Sequence, residues 1–272
     1  MKVKQRIIDM HTHAFPDSLA QRAMDQLHSE CDVTSYLDGK VGSLLRSMDD
    51  AGIEKSVLCS IATRPAQFDP ILNWSLEIRS ERIIPFPSVH PEDPQLIQHI
   101  DKIGKKGFLG IKIHPYYQNI VIDDPSLDPL YKAIIKNDLI LVLHTGYDIA
   151  FPKQERANPS QTLHVIRRFP DLKLVTTHMG GWFQWDQVEE TLLGKPIYME
   201  NSVSLEYLGP EKIKRMLNNH DPSYLLFGTD SPWDDQKKAV HSIETLISNE
   251  DLKKKFFFEN AAGLLNLSEK RG

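Results

Sequence analysis

Short apolar runs alternate with amphipathic stretches along this chain, and most of the runs stop at an ionisable residue. The first, Ile7-Ile8, leads into Asp9-Met10-His11-Thr12-His13. Four later runs behave alike: residues 108–113 stop at His114, residues 139–143 at His144, residues 172–177 at His178 and residues 224–229 at Asp230. Small or turn-forming residues follow, namely Pro115, Thr145-Gly146, Gly180-Gly181 and Ser231-Pro232. Runs of this kind read as buried parallel strands entering loops. Residues 56–60, 83–87 and 196–200 supply three more, the second weakened by Pro85 and Pro87.

Between these runs the apolar spacing predicts helices over residues 41–51 (with Gly52 as cap), 70–80, 94–104, 126–137, 159–169, 182–193 and 210–220. The tail, 236–267, reads as two or three helices, and the stretch after strand 1, with Phe15-Pro16-Asp17, reads as a long loop. Eight β-then-α units predict an α/β fold, a (β/α)8 TIM barrel. The 272 residues suit one such domain, 1–272, since these barrels run to roughly 250. No Gly-x-Gly-x-x-Gly opens a helix, so an open dinucleotide-binding sheet has no support.

The chemistry sits at the strand ends. Residues i and i+2 of a strand share a face, so His11 and His13 on a strand can meet one metal ion. A single histidine at a strand end is more often a hydrogen-bonded structural residue. Repetition argues otherwise: His11, His13, His144, His178 and Asp230 all fall at C-terminal strand ends, which converge on one mouth in a parallel barrel. Buried polar groups need partners, and one cation satisfies several.

Composition narrows the rest. A net charge of −5 gives no electrostatic case for nucleic acid or an acidic membrane. Cys31 and Cys59 are the only cysteines, too few for a disulfide framework. The basic start, Met1 to Arg6, lacks a following apolar stretch of signal-peptide length, and no run reaches the length of a membrane span. The expected setting is cytoplasmic.

Taken together, His11-x-His13, His144, His178 and Asp230 resemble the amidohydrolase superfamily of metal-dependent barrels. Gly110-Ile111-Lys112-Ile113-His114-Pro115, His178-Met179-Gly180-Gly181, Gly228-Thr229-Asp230-Ser231-Pro232 and Glu259-Asn260-Ala261-Ala262-Gly263-Leu264-Leu265 are similar to its amidohydrolase-related branch, the one that includes aminocarboxymuconate semialdehyde decarboxylase. The resemblance implies that His11, His13, His144 and Asp230 bind one divalent metal, zinc first, with manganese or a second metal left open. It implies catalytic roles for Asp230, as proton acceptor, and for His178, beside the water or substrate. Lys112 is either a carboxylated lysine bridging two metals, as in two-metal members, or a cation for a substrate carboxylate. His114 shares its face and either touches substrate or bonds a loop.

The first functional expectation is a hydrolase that cleaves an amide, lactone or ester bond of a small molecule with metal-activated water. The alternative is a non-oxidative decarboxylase of a small unsaturated or aromatic carboxylic acid. That reaction needs a second cation for the carboxylate, with Arg64 and Lys112 as candidates. A barrel that binds metal for stability alone fits poorly, because structural zinc sites are usually closed by cysteine and histidine. The expected partner is a small-molecule substrate, with a homodimer left open and neither nucleic acid nor membrane. Asp9 reads as a support for His11 or a barrel-floor residue. Trp182, Trp185 and Trp233 read as pocket lining or core, and Arg64, Tyr116, Tyr147 and Asn201 as loop residues of open role. His28, His90, His99, His164, His220 and His241 read as surface or structural.

Overall fold

The computed structural model describes residues 5–31 and 33–267. The basic stub before Gln5 lies outside them. Eight parallel strands follow one another: β1 (Ile8–Thr12), β2 (Lys55–Cys59), β3 (Ile83–Phe86), β4 (Gly110–Ile113), β5 (Ile140–Leu143), β6 (Lys173–Thr176), β7 (Tyr198–Glu200) and β8 (Leu225–Leu226). They pair in sequence order as β1-β2-β3 and β4-β5-β6-β7-β8. Two seams close the ring. Lys112 N donates to Pro87 O at 3.0 Å between β3 and β4. Met10 N to Phe227 O at 2.9 Å, Asp230 N to His11 O at 2.7 Å and His13 N to Ser231 O at 2.6 Å join β1 to β8. The (β/α)8 barrel expected from the periodicity is therefore present.

Both strand faces are buried, which explains why the runs show no hydrophobic alternation. One set of strand residues, including Ile8, Met10, Val57, Phe86, Val142, Val175 and Leu226, packs into a cluster of its own. The other set, such as Leu58, Ile111, Leu141 and Leu174, packs with the surrounding helices. Phe258, Ala261, Leu264 and Leu265 of the tail join the first cluster, so the C-terminal helices plug the barrel interior. The tail comprises helices Gln236–Leu246, Glu250–Lys254 and Asn260–Leu264, with a π-helical turn Lys255–Glu259 between the last two.

The expected outer helices are found with shifts of a few residues, and Gly52 ends Val41–Ala51 in the left-handed conformation at φ 73°. Two segments differ. Asp17–Glu30, read as loop, is a helix, and Leu205–Leu208 adds a short one before Pro210–Asn219. The first helix buries only Ala20 and Met24. It carries no apolar stripe for a pattern reading to detect. No described helix is long and apolar enough to cross a membrane.

Asp9 is the clasp of the β1–β8 seam. The strand register slips between Asp9 and Thr12, which breaks the alternation that would have aligned Asp9 with His11. Its buried carboxylate instead accepts from Thr229 Oγ1 (2.6 Å), Gln236 Nε2 (2.8 Å), Thr229 N (3.1 Å) and His11 N (3.1 Å). Burial raises its pKa to about 6. Asp9→Ala strands these buried donors, and chemical denaturation should show a loss of about 2–4 kcal/mol. A folded pKa above the unfolded one means stability that is complete below pH 4 and lost as pH rises through about 6. The stability gap between wild type and Asp9→Ala should accordingly shrink from pH 4 to pH 7. A gap that widens over that range contradicts the assignment.

Candidate active site

Each strand-end residue arrives at the mouth for a local reason. His11 lies one residue before the end of β1, Lys112 lies within β4, and Glu200 ends β7. His114 and His144 follow β4 and β5 directly. His178 and Asp230 sit in turns with φ of 56° and 61°. That left-handed region is costly for residues with a Cβ and is tolerated where surrounding contacts over-determine it.

His11, His13 and Asp230 converge into a group able to hold a metal ion. His11 Nε2 lies 3.0 Å from His13 Nε2, and Asp230 Oδ1 lies 3.2 Å and 3.1 Å from these two nitrogens. Their other nitrogens fix the tautomers. His11 Nδ1 faces Glu200 Oε1 at 3.0 Å, and His13 Nδ1 faces the Cys59 carbonyl at 2.8 Å. Both partners are acceptors, so both rings carry their proton on Nδ1. Two bare Nε2 lone pairs and a carboxylate oxygen then point at one another. Lys112 Nζ, fully buried and 3.0 Å from His11 Nε2, supplies one donor. His13 Nε2 and Asp230 Oδ1 still face each other without a proton between them. A divalent cation fits this donor set.

The electrostatics disfavour protonation of the buried imidazoles His11 and His178 and so leave them as lone-pair donors. Burial, with the Lys112 charge second, holds His11 well below the usual imidazole pKa. Burial likewise lowers Lys112 and His178. Burial pushes Asp230 up, but its contact with His13 and the positive charge of nearby Lys112 outweigh it and leave the carboxyl below its usual value.

Glu200 organises the mouth and was not expected from the sequence. Its Oε1 accepts from Ser202 Oγ (2.7 Å) and His178 N (3.2 Å) as well as from His11, while Oε2 accepts from Ser202 N (2.6 Å). Ser202 Oγ in turn lies 2.9 Å from His178 Nδ1, and Ser202 O lies 3.1 Å from it. One carboxylate therefore orients His11 directly and His178 through Ser202. Gly228 makes room for it: a Cβ there would stand 2.2 Å from Glu200 Oε2. Burial raises the Glu200 pKa to about 8. A signal did exist, since the run 196–200 stops at an ionisable residue like the others.

The remaining expected residues divide. His144 stands apart from the first group and joins His114 and Asp148 in a second one. Its Nδ1 is 3.3 Å from His178 Nε2. Trp182 and Trp185 are both core and support: Trp182 packs edge-on at 5.4 Å from the His178 ring, and Trp185 Nε1 donates to His178 O at 2.9 Å. Trp233 meets His28 instead. Tyr116 ties the Gly146 and Gln154 carbonyls, Tyr147 Oη meets Glu155, and Asn201 Oδ1 accepts from Gly228 N. Arg64 is exposed in the loop after β2. His99 stacks on Phe68, His220 binds Ile197 O, and His90 takes a loop N–H, while His28, His164 and His241 are exposed.

If Glu200 sets the His11 tautomer, Glu200→Ala should weaken cation binding about 10- to 100-fold in titration calorimetry with the far-UV circular dichroism unchanged. Gly228→Ala should shift affinity in the same direction by displacing that carboxylate. Wild-type affinity in both variants refutes the role.

The family model described as Amidohydrolase matches residues 8–267. No curated protein matches the chain. Among solved structures, 5-carboxyvanillate decarboxylase LigW from Sphingomonas paucimobilis is 18% identical, with 97% of this chain and 100% of that one covered and a TM-score of 0.71. The 2,6-dihydroxybenzoate decarboxylase from Rhizobium is 16% identical over 97% and 99%, with a TM-score of 0.69. The 5-carboxyvanillate decarboxylase from Novosphingobium aromaticivorans, solved with manganese and 4-hydroxy-3-methoxy-5-nitrobenzoic acid, is 16% identical over 98% and 97%, with a TM-score of 0.68. With its strand-end histidines and aspartate gathered at the mouth of a (β/α)8 barrel, this chain belongs to the amidohydrolase family.

Proposed function

We propose that the protein is a metal-dependent, non-oxidative decarboxylase of a small aromatic or unsaturated carboxylic acid. The observation that carries the metal dependence is the convergence of His11 Nε2, His13 Nε2 and Asp230 Oδ1, each 3.0–3.2 Å from the other two. Decarboxylation is preferred over the hydrolysis first expected because the similar structures with named activities are decarboxylases.

His11, His13 and Asp230 would hold the ion, three protein ligands leaving positions open for substrate. Zinc suits this nitrogen-rich set, and manganese, present in one similar structure, is the second choice. When bound, the ion supplies a Lewis acid for substrate oxygens. Lys112, buried beside His11, is the cation placed to meet a substrate carboxylate. Arg64, exposed, is the weaker candidate for that role.

Loss of carbon dioxide leaves an electron pair on carbon, which a proton must take: the acid anion plus one proton gives the reduced-carbon product plus carbon dioxide. His178 is assigned that transfer. Its Nδ1 is committed to Ser202, which leaves Nε2 as the working atom. In the resting ring Nε2 is bare, so it must first gain a proton there. Burial lowers the pKa, and the imidazolium so formed gives that proton up readily to the carbon. Trp182 packs against that ring, and Trp185 Nε1 holds the His178 carbonyl.

Hydrolysis keeps one specific argument, a Lys112 amine lowered in pKa by burial and facing His11, which is the setting a carboxylated bridging lysine needs. Intact mass spectrometry under carbon dioxide separates the two, and an unmodified Lys112 is expected.

The test is a panel of hydroxybenzoates and unsaturated acids, with lactones and amides beside them, in deuterated water with metal-loaded protein. The expected result is carbon dioxide release with one deuterium at the vacated carbon. Lactone or amide cleavage without carbon dioxide refutes the reading. His178→Asn should retain the metal and lose about 10²- to 10⁴-fold in kcat, whereas Asp230→Asn should lose metal and activity together.

A further inference from the structure

The chain reverses directly after β7, and it does so through a residue poorly suited to the task. Val203 has φ 57°. A β-branched side chain makes that left-handed region costly, and such a conformation persists only where the surroundings hold it. Ser204 N donates to Ser202 O at 2.6 Å and to Asn201 O at 3.1 Å, which closes a three-residue turn with Val203 at its centre. The form of that turn with a positive central φ is the rare one. Several contacts hold it. Val203 is partly buried and packs against the main hydrophobic core. Leu205 packs there too and opens the short helix Leu205–Leu208. Ser204 is buried, and its Oγ donates to Ser202 O at 3.0 Å.

The turn brings one backbone group to the active site, the Ser202 carbonyl. Its oxygen lies 3.1 Å from His178 Nδ1, and Ser202 Oγ lies 2.9 Å from the same nitrogen. These two oxygens are not equivalent. A hydroxyl donates or accepts, and this one gives its proton to Glu200 Oε1 at 2.7 Å. Left to itself, the hydroxyl could turn that proton toward a bare Nδ1 instead. A carbonyl oxygen only accepts. Its contact therefore requires the His178 proton on Nδ1 and leaves the lone pair on Nε2, whatever the hydroxyl does.

We propose that Val203 and Ser204 are positioning residues for His178: the strained turn they form holds the Ser202 carbonyl against Nδ1 and so assigns the ring its tautomer. Proton exchange is thereby confined to Nε2. The strain has a use under this assignment. A relaxed turn would carry the carbonyl away and leave the ring facing the hydroxyl alone, where either tautomer finds a partner. The link from Glu200 through the Ser202 hydroxyl then steadies the ring without deciding where its proton sits. The catalytic consequence rests on the proton transfer assigned to His178 under the decarboxylase reading. The tautomer itself rests on the turn alone.

Nitrogen-15 NMR of zinc-loaded, full-length protein with labelled histidine reads which ring nitrogen carries the proton, and the His178 signal is the one lost in His178→Asn. The expected wild-type pattern, which needs no other substitution, is a proton on Nδ1. It should persist in Ser202→Ala, which keeps the carbonyl, and in Val203→Gly, since glycine takes a positive φ without strain. Val203→Pro fixes φ at about −65° and breaks the turn. There the signal should move toward the Nε2-protonated form, with kcat down about 10- to 100-fold, KM little changed and the far-UV circular dichroism unaltered. Ser204→Ala should act in the same direction more weakly, and it carries the comparison if the proline variant does not fold. A wild-type proton on Nε2, or an Nδ1 proton undisturbed in Ser204→Ala and in folded Val203→Pro, overturns the proposal. So does loss of the Nδ1 proton in Ser202→Ala, which would hand the role to the hydroxyl, or a shifted tautomer with kcat unchanged. The decarboxylase reading fails separately, by an absence of carbon dioxide from wild type whose tautomer pattern is intact.

Discussion

A buried carboxylate between two histidines is the contact on which the mouth of this barrel depends. Glu200 accepts a hydrogen bond from His11 Nδ1 and, through Ser202, orients Nδ1 of His178. Each imidazole is thereby turned so that a bare Nε2 faces inward. The requirement propagates outward to Gly228, which has no side chain because the Glu200 carboxylate fills that space. It propagates along the chain too, since His178 and Asp230 keep left-handed backbone conformations in turns that nearby hydrogen bonds lock. Burial raises the Glu200 pKa and lowers that of His11, so the low-dielectric interior disfavours charge on both partners of this hydrogen bond.

The barrel supplies what this contact needs. Parallel strands with both faces buried bring their C-terminal ends to one mouth, and the interior below is filled with aliphatic and aromatic side chains rather than water. Tail residues such as Phe258 and Leu265 join that filling. A lysine with no exposed surface among the ligand candidates follows from the same geometry. Lys112 stands on β4 across from His11, where burial weakens its hold on a proton. The Asp9 clasp closes the ring at the β1–β8 seam, next to the two residues, His11 and Asp230, that must meet across it.

Much of this was legible in the residues because strand ends in such a barrel are not interchangeable with other positions. Runs ending in His114, His144, His178 and Asp230 located four mouths of loops, and the His11-x-His13 spacing marked a pair on one face. The same rule, applied to the run ending in Glu200, would have found the carboxylate that orients them. Other features leave no local trace. The slip of register after Asp9 moves that carboxylate to Thr229 and Gln236, and strand alternation alone places it with His11. Asp148 lies in a loop whose course is set by contacts with Trp182 and Ala157, residues distant in sequence. The helix Asp17–Glu30 buries too little to declare itself. Which nitrogen of each imidazole carries the proton depends on distant partners, such as Glu200, 189 positions from His11, and only assembled geometry reveals it.

The measurement that bears most directly on this account is diffraction from manganese-soaked crystals at the manganese absorption edge. The account predicts an anomalous peak within bonding distance of His11 Nε2, His13 Nε2 and an oxygen of Asp230, with Glu200 remaining on His11 Nδ1. A map with no peak among these three side chains, at manganese concentrations that saturate the protein in solution, would contradict it.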